Sequence, residues 1–251
     1  MTGSDADRAN AGGHPAVPDR PLDRRRLLAN VSIFSSLDER SLDALVRATT
    51  TRRLGTGEVL FRKGEPGRQL YGVLSGRLKV SASGADGKEI VFNVCDPGEV
   101  IGEIALLDSN PRSATVVALE PSELLVLDRR DFLPFLERHP RVAIELAELL
   151  ATRLRRLSEL AEDAVLLALR ARLAKKLVSF AQRYGRKTPN GVEIDLPFSQ
   201  QELGEMVGTS RESINKQLRA WAEQGLIVSS RGRITVRDAP GLEALARLAI
   251  D

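Results

Sequence analysis

The chain has 251 residues, enough for one large domain or two of ordinary size with a real core. Hydrophobic residues make up 42% and charged residues 28%, which excludes a wholly disordered or fibrous chain. Lys and Arg (37) barely exceed Asp and Glu (34), so a charged partner must be met by charge concentrated locally, not by the net +3.

Residues 1–24 are mostly Asp, Arg, Ala, Gly and Pro, with almost nothing large and apolar, and are expected to form a disordered tail. From Arg25 to Thr50 the pattern is helical, with Leu42, Leu45 and Val46 at spacings of three and four after Ser36-Leu37-Asp38-Glu39. The period then changes. Short β-rich runs, Val59–Arg62, Leu70–Leu74, Leu78–Ser83, Ile90–Val94, Ala114–Ala118 and Leu124–Asp128, are separated by glycine turns and predict an all-β barrel or sandwich. Ala85-Asp86-Gly87-Lys88 is the hairpin turn between two of them.

A long helix is predicted after Pro140. Ala147, Leu150, Leu154, Leu157, Ala161 and Ala164 form an a/d seam that suggests pairing across a dimer. Leu146, Leu149 and Leu160 offer a second face, suited to packing on the helix's own domain. The stretch from Arg153 to Lys187 is strongly basic, and reads equally as a solvated helix face or as a flank against phosphates.

Further on, Ser199-Gln200-Gln201-Glu202 is a capping box, and Leu203, Met206 and Val207 give the helix it starts an apolar face. Gly208 allows a tight turn, Ser210 caps a second helix with apolar Ile214, Leu218 and Trp221, and Gly225 stops it. Leu226–Ser229, a Ser230-Arg231-Gly232 turn and Arg233–Arg237 then read as a hairpin. Helix, turn, helix and hairpin make a winged helix-turn-helix. Arg211, Glu212, Asn215, Lys216 and Arg219 lie on the open face of the second helix, and their donors and acceptors suit base edges in a DNA major groove.

The single cysteine, Cys95, is expected as a small buried strand residue and leaves no basis for a disulfide or a multi-cysteine metal centre. His14, in a Gly/Ala/Pro-rich tract, and His139, ahead of Pro140, give no basis for haem or metal. No catalytic triad or nucleotide-hydrolysing loop is visible, so an enzyme is not expected. No apolar run approaches the ~20 residues of a membrane span and no signal peptide is visible, so a cytoplasmic protein without membrane contact is expected.

Three segments carry a family resemblance: Gly64-Glu65-Pro66-Gly67 leading to Leu70–Gly76; Gly102-Glu103-Ile104-Ala105-Leu106-Leu107 followed by Pro111–Val116; and Gln201-Glu202-Leu203-Gly204 through Glu212. In this order they resemble the cyclic-AMP receptor protein (CRP/FNR) superfamily of bacterial transcription regulators. The resemblance implies an α+β chain: an N-terminal cyclic-nucleotide-binding β-roll over residues 25–140, a dimerisation helix over 141–168, and a C-terminal winged helix-turn-helix DNA-binding domain over 169–251. It implies a homodimer joined through Leu150, Leu154, Leu157, Ala161 and Ala164, a two-fold site on double-stranded DNA, and RNA polymerase as a partner. DNA contacts fall to Ser210, Arg211, Glu212, Asn215 and Lys216, the lysine standing where an arginine is frequent.

For the effector, the resemblance implies that Arg112 meets a phosphate with a bidentate contact, helped by Ser113 and the backbone around Gly102 and Ile104, while Glu103 accepts from a ribose hydroxyl. A plain Glu103–Arg112 salt bridge in a roll without a ligand is the competing reading. Cyclic-AMP-responsive members contact the base with a Thr-Ser pair from the long helix; here Leu157-Ser158 stands there, and only Ser158 keeps a hydroxyl. Cyclic AMP is the leading effector, with cyclic GMP, another nucleotide, or none as alternatives; no metal, haem or iron–sulfur cluster is implied.

Overall fold

The computed structural model describes residues 25, 27–84, 89–196, 198–230 and 233–247; the expected tail at 1–24, the hairpin turn at 85–88 and the wing tip at 231–232 lie outside them. Helix α1 spans Glu39–Ala48, and the Asp38 carboxylate caps it by accepting from the Ser41 N–H at 2.8 Å. The helical reading of residues 25–50 is broken in two ways. Ser32–Phe34 form a single 3-10 turn, and Thr49 already begins strand β1 (Thr49–Leu54), whose three threonines favour extended backbone.

Strands β2 (Val59–Phe61), β3 (Gln69–Ser75), β4 (Leu78–Ser83), β5 (Glu89–Cys95) and β6 (Val100–Ile101) follow, then helix α2 (Glu103–Asp108), β7 (Thr115–Ala118) and β8 (Ser122–Asp128). They form two four-stranded sheets, in the orders β1-β8-β3-β6 and β2-β7-β4-β5, with antiparallel pairings. Strands β3 and β8 are buried on both faces, which explains their unbroken apolar runs. Tyr71, Val73, Leu124 and Val126 point into the core between the sheets. Leu70, Leu74, Leu125 and Leu127 point outward, into a second core with Phe34, Phe132 and Phe135.

Helix α3 (Arg129–Arg138) leads to α4 (Pro140–Leu166), which opens on a proline at its first position and extends about 40 Å. The first turns of α4 pack on the chain itself through Val142, Leu146 and Leu149. Beyond them Leu154 and Leu157 are exposed, at 65% and 45%, as are Ala161 and Ala164, while Leu150 is half-buried. The helix thus uses one face at its start and leaves the expected seam open.

Helix α5 (Leu169–Tyr184), the pair β9 (Gly185–Thr188) and β10 (Gly191–Ile194), helices α6 (Gln200–Val207) and α7 (Arg211–Glu223), strands β11 (Ile227–Ser230) and β12 (Arg233–Val236), and helix α8 (Ala239–Leu245) build the C-terminal part. Its sheet has the order β11-β12-β10-β9. The core of this part, around Trp221 and Leu177, also takes in Val91 and Val94 of β5. A bulge makes this possible: Val80 pairs with Asn93 and Ser81 with Val91, so Phe92 is the extra residue and both valines face outward. At the α4–α5 junction, Arg172 donates to the Leu167 carbonyl at 2.8 Å and the Val207 carbonyl at 3.0 Å, tying together the C-terminal ends of α4 and α6. No helix among the described residues is long and apolar enough to cross a membrane.

Two-sided burial of β8 sets an expectation for stability. Leu125→Ala should cost about 2–5 kcal/mol, read as a lower urea midpoint at unchanged slope; a loss below about 1 kcal/mol would contradict burial of its outer face.

Candidate functional site

A cavity of about 320 Å³ opens where the roll meets α4. Its apolar wall includes Phe61, Val80, Ile101 and Val116, and its polar groups come from Gly102–Glu103, Arg112–Ser113 and Arg153. Backbone conformation builds this end of the cavity. Gly102 has φ +85°, and a Cβ there would lie 2.5 Å from Arg112 Nη1 and 2.9 Å from the Gln69 carbonyl oxygen. A Cβ on Gly67 would come within 2.7 Å of Arg112 Nε. Both glycines are therefore needed for a guanidinium to lie against main chain.

Arg112 is only 4% exposed. Its Nη1 donates to the Gly102 carbonyl and its Nη2 to the Gln69 carbonyl, each at 2.9 Å, and Nε is buried without a partner. The guanidinium carbon sits 4.2 Å from the Phe61 ring centroid and 5.6 Å from that of Tyr71. Burial pulls its pKa below the ordinary arginine value, opposed by the nearby Tyr71 and Glu103. Among the described residues no carboxylate lies within salt-bridge distance of it, so the cation carries no counter-charge of its own.

Glu103, 2% exposed, does not pair with Arg112 as the simpler reading of the sequence supposed. Arg153 of α4 reaches across instead, donating from Nη1 to Glu103 Oε1 at 2.6 Å and from Nη2 to the Val100 carbonyl. Arg153 was visible in the sequence only as one cation in a basic stretch, because a contact across 50 positions leaves no local pattern. Ile104, 42% exposed, and Ser113, also exposed, line the same cavity. Leu157 lines it too, whereas Ser158 does not; its hydroxyl donates to the Leu154 carbonyl at 3.1 Å on the exposed side of α4.

At the other end of the chain, Ser199 and Glu202 form the expected capping box at the start of α6. Gly208, φ +71°, closes α6, and Ser210 caps α7 by accepting from the Ser213 N–H. Gly204 lies 2.7 Å, measured from an added Cβ, from the Thr209 carbonyl oxygen, so a larger residue would push the turn off α6. Burying Ile214, Leu218 and Trp221 turns Arg211, Glu212, Lys216 and Arg219 to solvent, with Asn215 half-buried beside them. One exposed helix face therefore collects donors and an acceptor, groups of the kind that can meet base edges.

Residues 51–139 match the cyclic nucleotide-binding domain family, and residues 171–245 the Crp-like helix-turn-helix domain family. The chain is 35% identical over 214 residues to the cyclic AMP receptor protein of Thermus thermophilus, a match covering 85% of this chain and 96% of that protein. It is 28% identical over 221 residues to a CRP-like cAMP-activated global transcriptional regulator of Mycobacterium tuberculosis, covering 88% and 99%. The solved structure of the c-di-GMP responsive global regulator CLP of Xanthomonas campestris has the same fold, with TM-score 0.73 over 79% of this chain and 99% of that one at 24% identity. The chain belongs to the CRP/FNR superfamily, whose members are DNA-binding transcription regulators and not enzymes.

Cys95 is buried at the cavity wall, and desolvation, with Glu99 nearby, pushes its thiol up to about 12. The raised value means the fold favours the neutral thiol, so its contribution to stability is full below the unfolded pKa and is lost as pH climbs towards 12. A thiol-reactive disulfide reagent at pH 8 should therefore label Cys95 slowly in native protein and quickly in urea; rapid native labelling would contradict this burial.

Proposed function

We propose that this chain is a homodimeric, sequence-specific DNA-binding regulator whose effector is a cyclic nucleotide, cyclic AMP by preference, held in the roll cavity. The observation that carries the effector reading is Arg112: a buried cation with no carboxylate within salt-bridge distance among the described residues, on the wall of a cavity of about 320 Å³. A singly charged cyclic phosphate supplies the missing charge, with Ser113 at the mouth as a further donor. The Glu103 carboxylate accepts from the ribose 2′-hydroxyl and Arg153 holds that carboxylate in place. Cyclic AMP is the effector named for the Thermus thermophilus and Mycobacterium tuberculosis relatives.

The base end of the cavity supports a second reading. Leu157 lines it with no hydrogen-bonding group, and Ser158 lies outside the cavity of its own chain. Ser158 therefore serves the base only across a dimer, and discrimination among cyclic AMP, cyclic GMP and other cyclic nucleotides loses about 1 kcal/mol for the missing polar contact.

Pairing follows from α4. Leu150, Leu154, Leu157, Ala161 and Ala164 form an open apolar stripe that a second copy of the helix covers. Two reading helices then meet DNA in successive major grooves, about 34 Å apart. Ser210 orients α7 and donates towards phosphate, while Arg211, Glu212, Asn215 and Lys216 read bases. A cytoplasmic location and contact with RNA polymerase complete the proposal.

Two variants test it. Arg112→Leu should weaken cyclic AMP binding about 100-fold or more by titration calorimetry, the loss of two charge-assisted hydrogen bonds; unchanged affinity would remove the phosphate role. Arg211→Ala should cost ~1–3 kcal/mol on a selected duplex and leave salt-sensitive binding to random DNA largely intact. Equal losses on both duplexes would sink the base-reading role.

A further inference from the structure

The turn between β5 and β6, Asp96 to Glu99, runs through Val100 into Ile101, Gly102 and Glu103, which wall the cavity. Two residues at the end of α5, in the DNA-binding part, hold this turn. Arg183 Nη2 lies 2.6 Å from Asp96 Oδ2 and 2.8 Å from Glu99 Oε1, and the Tyr184 hydroxyl donates to Asp96 Oδ2 at 2.9 Å. The guanidinium also faces the Tyr184 ring, 5.3 Å from its centroid. The charged groups are about one-fifth to one-third exposed, so solvent screens them only in part. Arg77, from the β3–β4 turn, adds a bond from Nη1 to the Asp195 carbonyl at 2.9 Å beyond β10.

The same short segment is gripped at its other end by α4, through Arg153 on Val100 and Glu103. Asp96–Glu103 is therefore held between the reading head and the dimerisation helix. A displacement at Glu103 is felt at Arg183 through the Asp96–Glu103 segment alone, with no passage through α4. Strand β5 reinforces this short route, since Asn93 and Cys95 line the cavity while Val91 and Val94 sit in the head's core.

We propose that Arg183, with Tyr184 beside it, is a positioning residue that couples the DNA-reading head to the effector cavity within one chain. It sets the angle of α5 against the Asp96–Glu99 turn, so DNA binding and cavity occupancy bias the same segment. The inference rests on the DNA-binding and effector readings above, and coupling of this kind is reciprocal between the two sites.

The test uses the full-length protein, a duplex selected from a random-sequence pool, and hydrogen–deuterium exchange of the amides from Asp96 to Gly102. In the wild type, the selected duplex should change their exchange by about fivefold or more, the low end of coupling between sites. Arg183→Ala should lose that change while still binding the duplex and keeping its melting temperature within a few degrees; Arg183→Lys should keep part of it. Tyr184→Phe, a milder change, should reduce the response and guards against a misfolded alanine variant. An undiminished response in Arg183→Ala or Tyr184→Phe, or no response in the wild type, would overturn the proposal. In a second arm, the ratio of cyclic AMP affinities with and without duplex should fall towards one in Arg183→Ala, and an unchanged ratio would also overturn it. Wild-type protein that binds no cyclic AMP in calorimetry counts against the effector reading alone, because the exchange arm uses no nucleotide and still decides the coupling.

Discussion

Arg112 is a permanent cation that folding takes out of water with no carboxylate within salt-bridge distance among the described residues. A guanidinium does not shed its proton in a protein, so the fold must accommodate the charge. Two backbone carbonyls and the faces of Phe61 and Tyr71 supply partial compensation. They do so only because Gly67 and Gly102 let the side chain lie on the main chain. Replacing either glycine displaces the cation, and replacing the cation leaves two buried carbonyl acceptors without their donors. On the proposed reading, an anion in the adjoining cavity completes this arrangement, with the guanidinium already held in place by the two carbonyls.

The remaining architecture places that cavity against α4 and the helix-turn-helix domain. Helix α4 contributes Arg153 and Leu157 to the cavity and an open apolar stripe to solvent, so the proposed pairing surface adjoins the cavity directly. Strand β5 serves the cavity on one face and the reading head on the other, a division created by the extra residue Phe92. Arg172 then fixes the end of α4 to the end of α6, the first helix of the reading unit. Cavity, α4 and the first helix of the helix-turn-helix are thus linked by short, partly buried contacts.

Local pattern revealed much of this and missed what depends on distance. The capping box at Ser199, the turn at Gly208 and the buried triad Ile214, Leu218 and Trp221 are signals within a few residues, and the helix-turn-helix was legible from them. Strand β1 overlaps the helical pattern at its start and carries no strand signal beyond it, because it exposes Thr50–Arg53 and shows no alternation. The β9–β10 pair is short and mostly exposed or half-buried, with equally little pattern. At the cavity, Gly102, Glu103, Ile104, Arg112 and Ser113 are singled out by the family resemblance, and the structure brings them to one cavity. Arg153, Phe61 and Tyr71 were missed because they arrive from distant segments, and an arginine among many gives no sign of which one turns inward. The expected dimer seam is legible and open, while Leu146 and Leu149 show that the alternative of self-packing is realised along the first turns of the same helix.

The central claim, that Arg112 makes the roll cavity a site for a phosphate-bearing nucleoside, is tested most directly by comparing cyclic AMP with adenosine in calorimetric titrations of the intact protein. The two share base and sugar and differ in the cyclic phosphate. The account predicts that adenosine binds about 100-fold more weakly or worse, from the loss of charge-assisted contacts. Equal affinities for the two would contradict it.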